Sequence, residues 1–236
     1  MSFADAWTDE DASGDGCALF FGRYLKAANP DVPAGGKVLE IGCSEFDWLT
    51  PASKRWPDAE FTGVDWRNPP DANKRGPRAQ AVHGNALDPD LFPARYFDLI
   101  VSLSAIEHMG LGHYNEDPLD VDGDTHAIAN AVRWLKIGGW LLFDVPYNPA
   151  EYRVVDTSHR EYNDDALWQR LWIDPLCQAA VAERAAGYYE NDPRSVRVRW
   201  HGTYYCKAGE EGALIEKPAE PCHPFYYVGL AWQRVG

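Results

Sequence analysis

The stretch that decides the fold is Lys37-Val38-Leu39-Glu40-Ile41-Gly42-Cys43-Ser44-Glu45-Phe46. Its apolar run contains an acid near its end, and Gly42 and small residues follow at once. This pattern predicts a buried strand that enters a tight turn. A second such strand, Glu60–Asp65, comes roughly 20 to 25 residues later and also ends in an acid. Acids at the ends of two neighbouring parallel strands indicate a ligand that carries a ribose.

Apolar runs and amphipathic segments alternate beyond these two strands. The runs at 79–83, 97–103 and 139–145 predict further strands, and Asp124–Lys136 has the periodicity of a helix with Gly138 as its C-cap. Buried strands separated by helices predict a parallel sheet that is covered on both faces. In the last third we expect helices at 162–171 and 176–186, followed by long closing strands at 194–207 and 225–235.

Length and composition favour one cytoplasmic α/β domain. The 236 residues suffice for a single sizeable core. We expect an N-terminal helical segment (1–34), a cofactor-binding core (35–150) and a part with substrate-side helices and closing strands (151–236). The net charge of −14 repels phosphate backbones and anionic membranes, which argues against nucleic-acid and membrane partners. Scattered cysteines without a C-x-x-C motif, and an N-terminus unlike a signal peptide, favour the cytoplasm.

Five signatures in order resemble those of class I S-adenosylmethionine-dependent methyltransferases. They lie at Glu40–Phe46, Asp65, Gly84–Leu87, Phe97–His108 and Leu135–Leu141. The first keeps Gly42, whereas Ser44 and Phe46 replace the second and third glycines of the family. The resemblance covers roughly residues 35 to 150. It implies a Rossmann-like α/β fold with a mostly parallel seven-stranded sheet, helices on both faces and an antiparallel C-terminal strand pair.

The resemblance also implies S-adenosylmethionine as the cofactor and assigns residues to it. In the family, the carboxylate at the position of Asp65 accepts hydrogen bonds from both ribose hydroxyls, and the residue at Trp66 packs on adenine. The acid that contacts the adenine amine is here Asn85, or is displaced to Asp88. The cofactor-binding residues expected on this basis are Glu40, Gly42, Cys43, Ser44, Asp65, Trp66, Asn85, Ala86 and Ser102.

A narrower similarity bears on the methyl acceptor. Ser102–Tyr114 and Asp117–Asp124 are similar to an uncharacterised methyltransferase-like family that is often associated with polysaccharide and natural-product gene clusters. This similarity implies a small-molecule acceptor and favours a hydroxyl of a sugar or natural product. Two alternatives stay open: methylation of an amino group or a protein, and a non-catalytic protein of the same fold that binds the cofactor or a partner. Each of these functions is compatible with a homo-oligomer.

Two adjacent side chains are candidates for catalysis. Methylation of a hydroxyl needs a base that removes its proton. His108 follows the fourth strand at the sheet edge where parallel sheets place ligands, and histidine changes charge near neutral pH. Glu107 orients His108 or acts in its place, and a structural role at a helix start is the alternative for both. We expect the acceptor to be contacted by His113, Tyr114, Tyr147, His159 and Arg160.

An acidic loop raises the question of a metal. Asp120, Asp122 and Asp124 lie close together, and clustered carboxylates bind hard divalent cations. Their spacing does not match an EF-hand loop, and Asp124 is placed to cap the following helix. The pattern therefore favours a turn and a helix cap, with a divalent metal site as the alternative.

Overall fold

The computed structural model describes residues 22, 25–43, 52–53, 55–67, 78–115, 119–171, 198–207, 214–220 and 226–234. The predictions for Ser44, for most of the N-terminal helical segment and for the helix at 176–186 lie outside these residues. Within the described ranges, none of the helices combines the length and apolar character that crossing a bilayer requires.

The described strands form one large sheet and a small hairpin. They are β1 (Lys37–Ile41), β2 (Glu60–Asp65), β3 (Ala79–His83), β4 (Phe97–Ser102), β5 (Leu135–Tyr147), β6 (Arg153–Val155), β7 (His159–Glu161), β8 (Val198–Lys207) and β9 (Tyr226–Arg234). Seven of them make a sheet of order β3-β2-β1-β4-β5-β9-β8, in which β1 to β5 are parallel and β9 is antiparallel to both its neighbours. The predicted mostly parallel sheet with an antiparallel C-terminal pair is confirmed.

Two hydrophobic cores lie on the two faces of the sheet. Successive side chains of a strand point to opposite faces. Accordingly, Leu39 of β1 packs in one core with Ile128 of helix α1 (Gly123–Trp134), whereas Val38 packs in the other core with Leu25 and Trp56. Because both faces of the sheet are covered, a ligand can bind at the carboxyl ends of the parallel strands.

Helix α1 ends earlier than predicted. We expected a helix over Asp124–Lys136, but β5 begins at Leu135, directly after α1. The reason is that Leu135 pairs with Phe97 of β4 and takes an extended conformation. Gly138 is therefore not a helix cap. With φ of +86° it lies in the irregular start of β5, where the register with β4 shifts.

The segment after β5 contains a hairpin that the sequence does not indicate. Strands β6 and β7 pair antiparallel, and Tyr162 then bridges back to Tyr147. The helix predicted over Tyr162–Leu171 consequently begins only at Asp164. This hairpin brings His159 against the short 3-10 helix Ile106–His108, which follows β4.

Candidate functional site

A cavity of about 260 Å³ lies at the carboxyl ends of β1, β2 and β4. This is the edge at which parallel sheets bind ligands. Its walls contain several residues that the sequence predicts for cofactor or acceptor, namely Gly42, Asp65, Trp66, Asn85, Ala86, His108 and Tyr114. The structure therefore gathers residues from strand ends that are far apart in the chain.

The turn after β1 requires a glycine. Gly42 has φ of +76°, and a Cβ added there would lie 2.3 Å from the Cβ of Ala105. The Gly42 amide donates to the carbonyl oxygen of Val64 at 2.8 Å, which ties the turn to β2. Any side chain at residue 42 would be strained and would collide with Ala105, another residue of the cavity wall.

Asp65 ends β2 and is held by Arg67. Its Oδ1 accepts hydrogen bonds from the main-chain amide of Arg67 (2.8 Å) and from Nε (3.1 Å), and its Oδ2 accepts from Nη2 (3.1 Å). The guanidinium also lies 4.4 Å from the ring centre of Tyr114. The hydrogen bond with Asp65 is the main cause that raises the pKa of Arg67. Sequence reasoning missed Arg67, although a cation two residues after an acid is a usable signal.

Asn85 and Ala86 form the next part of the wall. The Asn85 Oδ1 accepts a hydrogen bond from the Leu87 amide at 2.9 Å, which closes an Asx turn. Asn130 of α1 donates through Nδ2 to the Ala86 carbonyl at 2.9 Å. The helix thereby fixes the position of a turn that lines the cavity.

Three other predicted cofactor residues lie beside the cavity rather than in its described walls. Glu40, Cys43 and Ser102 are all buried. Ser102 Oγ donates to the carbonyl oxygen of Ile41 at 3.1 Å and joins the ends of β1 and β4. Burial raises the pKa of the Cys43 thiol, so this side chain stays protonated at neutral pH. We infer that these buried residues support the turn after β1 without facing the cavity.

Ser104 is a wall residue that the sequence did not reveal. It has φ of +44°, an uncommon value for a residue with a side chain. Its amide donates to Asp144 Oδ1 and its hydroxyl donates to Glu107 Oε1, both at 2.6 Å. Two buried acids therefore fix its unusual conformation. The available signal was Asp144 itself, a charged residue inside the apolar run of β5.

His108 has one ring nitrogen engaged and the other turned toward an acid. Its Nδ1 lies 2.6 Å from the Ser158 carbonyl oxygen, which can only accept, so Nδ1 carries the hydrogen. In the neutral ring, Nε2 is then the atom with the lone pair. It lies 3.7 Å from Glu107 Oε1, and the Glu107 side chain is buried. Burial is the main cause that raises the pKa of Glu107.

Three predicted acceptor residues surround the His108 ring. The ring centres of His113, Tyr114 and His159 lie 5.3, 5.5 and 6.1 Å from that of His108. Burial, followed by the charges of His108 and His113, lowers the pKa of His159. The lowered pKa favours the neutral imidazole of His159, which can accept a proton.

Tyr147 and Arg160 do not belong to the described walls of the cavity, so their contact with the acceptor stays a prediction. Both side chains are fully buried. The Tyr147 hydroxyl donates to Asp164 Oδ1 at 3.1 Å. Arg160 donates to main-chain carbonyls that the structure brings around it, those of Glu107 (3.1 Å), Met109 (2.8 Å) and Val121 (3.0 Å). Both residues support the fold.

The carboxylates of the acidic loop pair with nearby side chains. Asp120 contacts His126 at 2.6 Å, Asp122 contacts Arg170 at 3.3 Å, and Asp124 accepts from Arg170 (2.7 Å) and from the Tyr162 hydroxyl (2.8 Å). Asp124 lies inside the first turn of α1 and is not its cap. In the described part of the chain, no group of three or more His, Cys, Asp or Glu side chains is arranged to hold a metal ion.

Comparisons with known proteins agree with this architecture. The model of a methyltransferase domain family matches residues 17–179. A methyltransferase of Strobilurus tenacellus, str2, is 30% identical over 138 residues, which are 58% of this chain and 45% of that protein. The chain thus spans less than half the length of this curated relative.

Two solved structures share the fold at low sequence identity. The 1,6-didemethyltoxoflavin-N1-methyltransferase of Burkholderia thailandensis has a TM-score of 0.60 and 13% identity, over 100% of this chain and 84% of that chain. The geranyl diphosphate C-methyltransferase of Streptomyces coelicolor has a TM-score of 0.58 and 12% identity, over 90% of this chain and 78% of that chain. At such identity the likeness concerns the fold.

Proposed function

The chain belongs to the methyltransferase domain family, and on this premise we propose that it transfers a methyl group from S-adenosylmethionine to a hydroxyl of a small molecule, with His108 as the general base. The observation that carries the proposal is the cavity at the carboxyl ends of β1, β2 and β4, whose walls contain Asp65, Asn85 and His108 together. A sugar or natural product is the acceptor that we favour.

The residues of the cavity fit the proposed cofactor. Asp65 offers a carboxylate, the group that suits a ribose diol, and Trp66 and Asn85 provide an aromatic face and an amide for adenine. Gly42 lets the turn after β1 pack closely against Ala105, where a Cβ would collide, and so fixes this part of the cavity wall. S-adenosylmethionine supplies, when bound, an electrophilic methyl group that leaves its sulfur as the acceptor oxygen takes it.

His108 is suited to take the proton of the acceptor hydroxyl. The Ser158 carbonyl fixes the hydrogen on Nδ1, so Nε2 presents its lone pair as a base does when a second group orients it. Proton transfer to Nε2 creates an imidazolium, and the Glu107 carboxyl oxygen 3.7 Å away stabilises that charge through its negative partial charge. Glu107 thus acts through His108 as a positioning residue.

The surroundings of His108 support a hydroxylated acceptor with a ring. Tyr114 lies in the described walls of the cavity next to the base, and aromatic side chains of this kind pack against sugar rings and planar rings. A neutral amine attacks the methyl group with its own lone pair and needs no base to remove a proton first. A base at this place therefore favours a hydroxyl as the acceptor. Several partly buried apolar groups, including Met109 and Leu103, complete the wall.

Methyl transfer to a broad panel of acceptors tests the proposal. The purified protein is incubated with labelled S-adenosylmethionine and sugars, phenols, amines, proteins or RNA. We expect labelled hydroxyl products, and we expect His108→Asn to lower turnover by about 10²- to 10⁴-fold while S-adenosylhomocysteine affinity stays unchanged. His126→Asn, an exposed histidine on α1, is the matched control and should keep full turnover. Transfer only to amines, proteins or RNA, or full activity of His108→Asn, contradicts the proposal.

A further inference from the structure

Arg67 occupies most of the hydrogen-bonding capacity of Asp65. A carboxylate has about four lone-pair sites, and Arg67 donates to three of these through its amide, Nε and Nη2. A ribose diol donates two hydrogen bonds of its own. Together with the three bonds from Arg67 these exceed the roughly four sites by one, so at least one side-chain bond of Arg67 must yield when a diol binds.

This exchange is inexpensive because the ion pair is partly exposed. The Arg67 side chain is 45% exposed, although that of Asp65 is only 6% exposed. Ion pairs that solvent reaches contribute little to stability, so a ligand hydroxyl competes with them effectively. The bond from the Arg67 amide to Asp65 belongs to the turn itself and does not have to break.

A released guanidinium has a second contact that keeps it at the cavity wall. It already lies over the Tyr114 ring, with 4.4 Å between Cζ and the ring centre. Tyr114 comes from the loop after β4 and packs against His108. Arg67 is also the one Lys or Arg side chain in the described lining of the cavity. Its fork therefore stays close to the side where the methyl acceptor would bind.

We propose that Arg67 holds Asp65 in the cofactor-free protein and, once a ribose takes its place, binds a carboxylate or phosphate group of the methyl acceptor. The inference rests on the proposed function and deepens it by naming an acidic class of acceptor. A planar guanidinium matches such anions with paired hydrogen bonds. In a protein of net charge −14, an anionic acceptor needs a fixed local cation of this kind.

The inference predicts effects of opposite sign from one substitution. In Arg67→Met the competition for Asp65 is removed, so calorimetry should show S-adenosylhomocysteine binding about 2- to 5-fold tighter, the range that a partly exposed ion pair supports. For acceptors with an acidic group, kcat/KM should fall about 10- to 100-fold, as the loss of hydrogen bonds to a charged group predicts. If Arg67 had only a structural role, Arg67→Met would weaken the binding of S-adenosylhomocysteine and the use of the acceptor together.

The assays with methyl acceptors compare matched compounds that differ in their acidic group. Glucuronate and glucose 6-phosphate are compared with glucose, and 4-hydroxybenzoate with 4-hydroxybenzamide, so that carboxylate and phosphate are distinguished from each other and from neutral rings. Arg133→Met removes an exposed arginine that pairs with Asp90 away from the cavity, and should change neither ligand. Equal effects on acidic and neutral acceptors, or unchanged or weaker S-adenosylhomocysteine binding in Arg67→Met, would overturn the inference. Failure of the unsubstituted protein to bind S-adenosylhomocysteine would instead overturn the proposed function.

Discussion

The buried carboxylate of Asp144 accepts a hydrogen bond from the main-chain amide of Ser104, with 2.6 Å between Oδ1 and N. Asp144 belongs to β5, whereas Ser104 lies in the cavity wall after β4. The bond holds Ser104 in a left-handed conformation that a serine rarely adopts on its own. A residue outside the cavity thus fixes the shape of the wall between Gly42 and His108.

Replacement of Asp144 should therefore change ligand binding from a distance. Asp144→Leu leaves the Ser104 amide without its acceptor, and relaxation of the wall should weaken S-adenosylhomocysteine binding by about 10-fold, the effect of one buried hydrogen bond. Asp144→Asn keeps an acceptor oxygen, so its affinity should stay within about 3-fold of the unsubstituted protein. Isothermal titration calorimetry measures both variants, and equal affinities for Leu and Asn would contradict the positioning role.

The turn after β1 gives a second prediction that separates backbone strain from a steric clash. Gly42→Ala and Gly35→Ala both place a side chain at positive φ, which costs about 1 kcal/mol of stability. Only the Cβ at residue 42 meets another atom, whereas nothing lies within 4 Å at residue 35. We expect both variants to lose stability in urea unfolding, Gly42→Ala more than Gly35→Ala because of its clash with Ala105, and only Gly42→Ala to lose S-adenosylhomocysteine binding. Normal binding by Gly42→Ala would show that this turn does not face the ligand.

Arg160 should behave as part of the fold. Arg160→Met leaves three main-chain carbonyls without their donor, in a buried site, so the free energy of unfolding should fall by about 3 kcal/mol or more. Arg133→Met, at an exposed pair, should change it by less than about 0.5 kcal/mol. Chemical denaturation compares the two variants. If Arg160→Met had normal stability but bound the acceptor more weakly, Arg160 would act in acceptor binding and not in the fold.

The strands and their ends were predictable from the sequence because they depend on local patterns. Apolar runs mark β1, β2 and β4, and the polar residues that follow them, such as Asp65 and His108, mark the edge of the sheet. The supporting contacts were not predictable, because they join residues far apart in the chain. Ser104 meets Asp144 forty positions away, and Arg160 meets carbonyls of an earlier loop. A charged residue alone does not indicate whether such partners exist.

Glu107 makes stability depend on pH in a defined direction. Burial raises the pKa of this carboxyl above its ordinary value near 4.3, although Ser104 and His108 act the other way. The folded protein therefore keeps the proton to a higher pH than the unfolded chain does. Relative to Glu107→Gln, the stabilisation by Glu107 is complete below about pH 4 and is lost as pH rises through the folded-state pKa.

Urea unfolding of both proteins from pH 4 to pH 8 measures this dependence. We expect the stability of the unsubstituted protein, minus that of Glu107→Gln, to decrease as pH rises above about 4 and to level off once pH exceeds the folded-state pKa. The glutamine keeps an oxygen for the Ser104 hydroxyl, so the comparison isolates ionisation. A difference that rises with pH would mean that Glu107 is ionised and paired in the folded protein.

Titration calorimetry with S-adenosylhomocysteine tests the central claim most directly. That claim is that the cavity binds the nucleoside of S-adenosylmethionine through Asp65. We predict binding in the micromolar range to the unsubstituted protein, and affinity at least about 10-fold weaker for Asp65→Ala, the effect of losing hydrogen bonds to a charged group. Absence of binding to the unsubstituted protein, or equal affinity in Asp65→Ala, would contradict the claim.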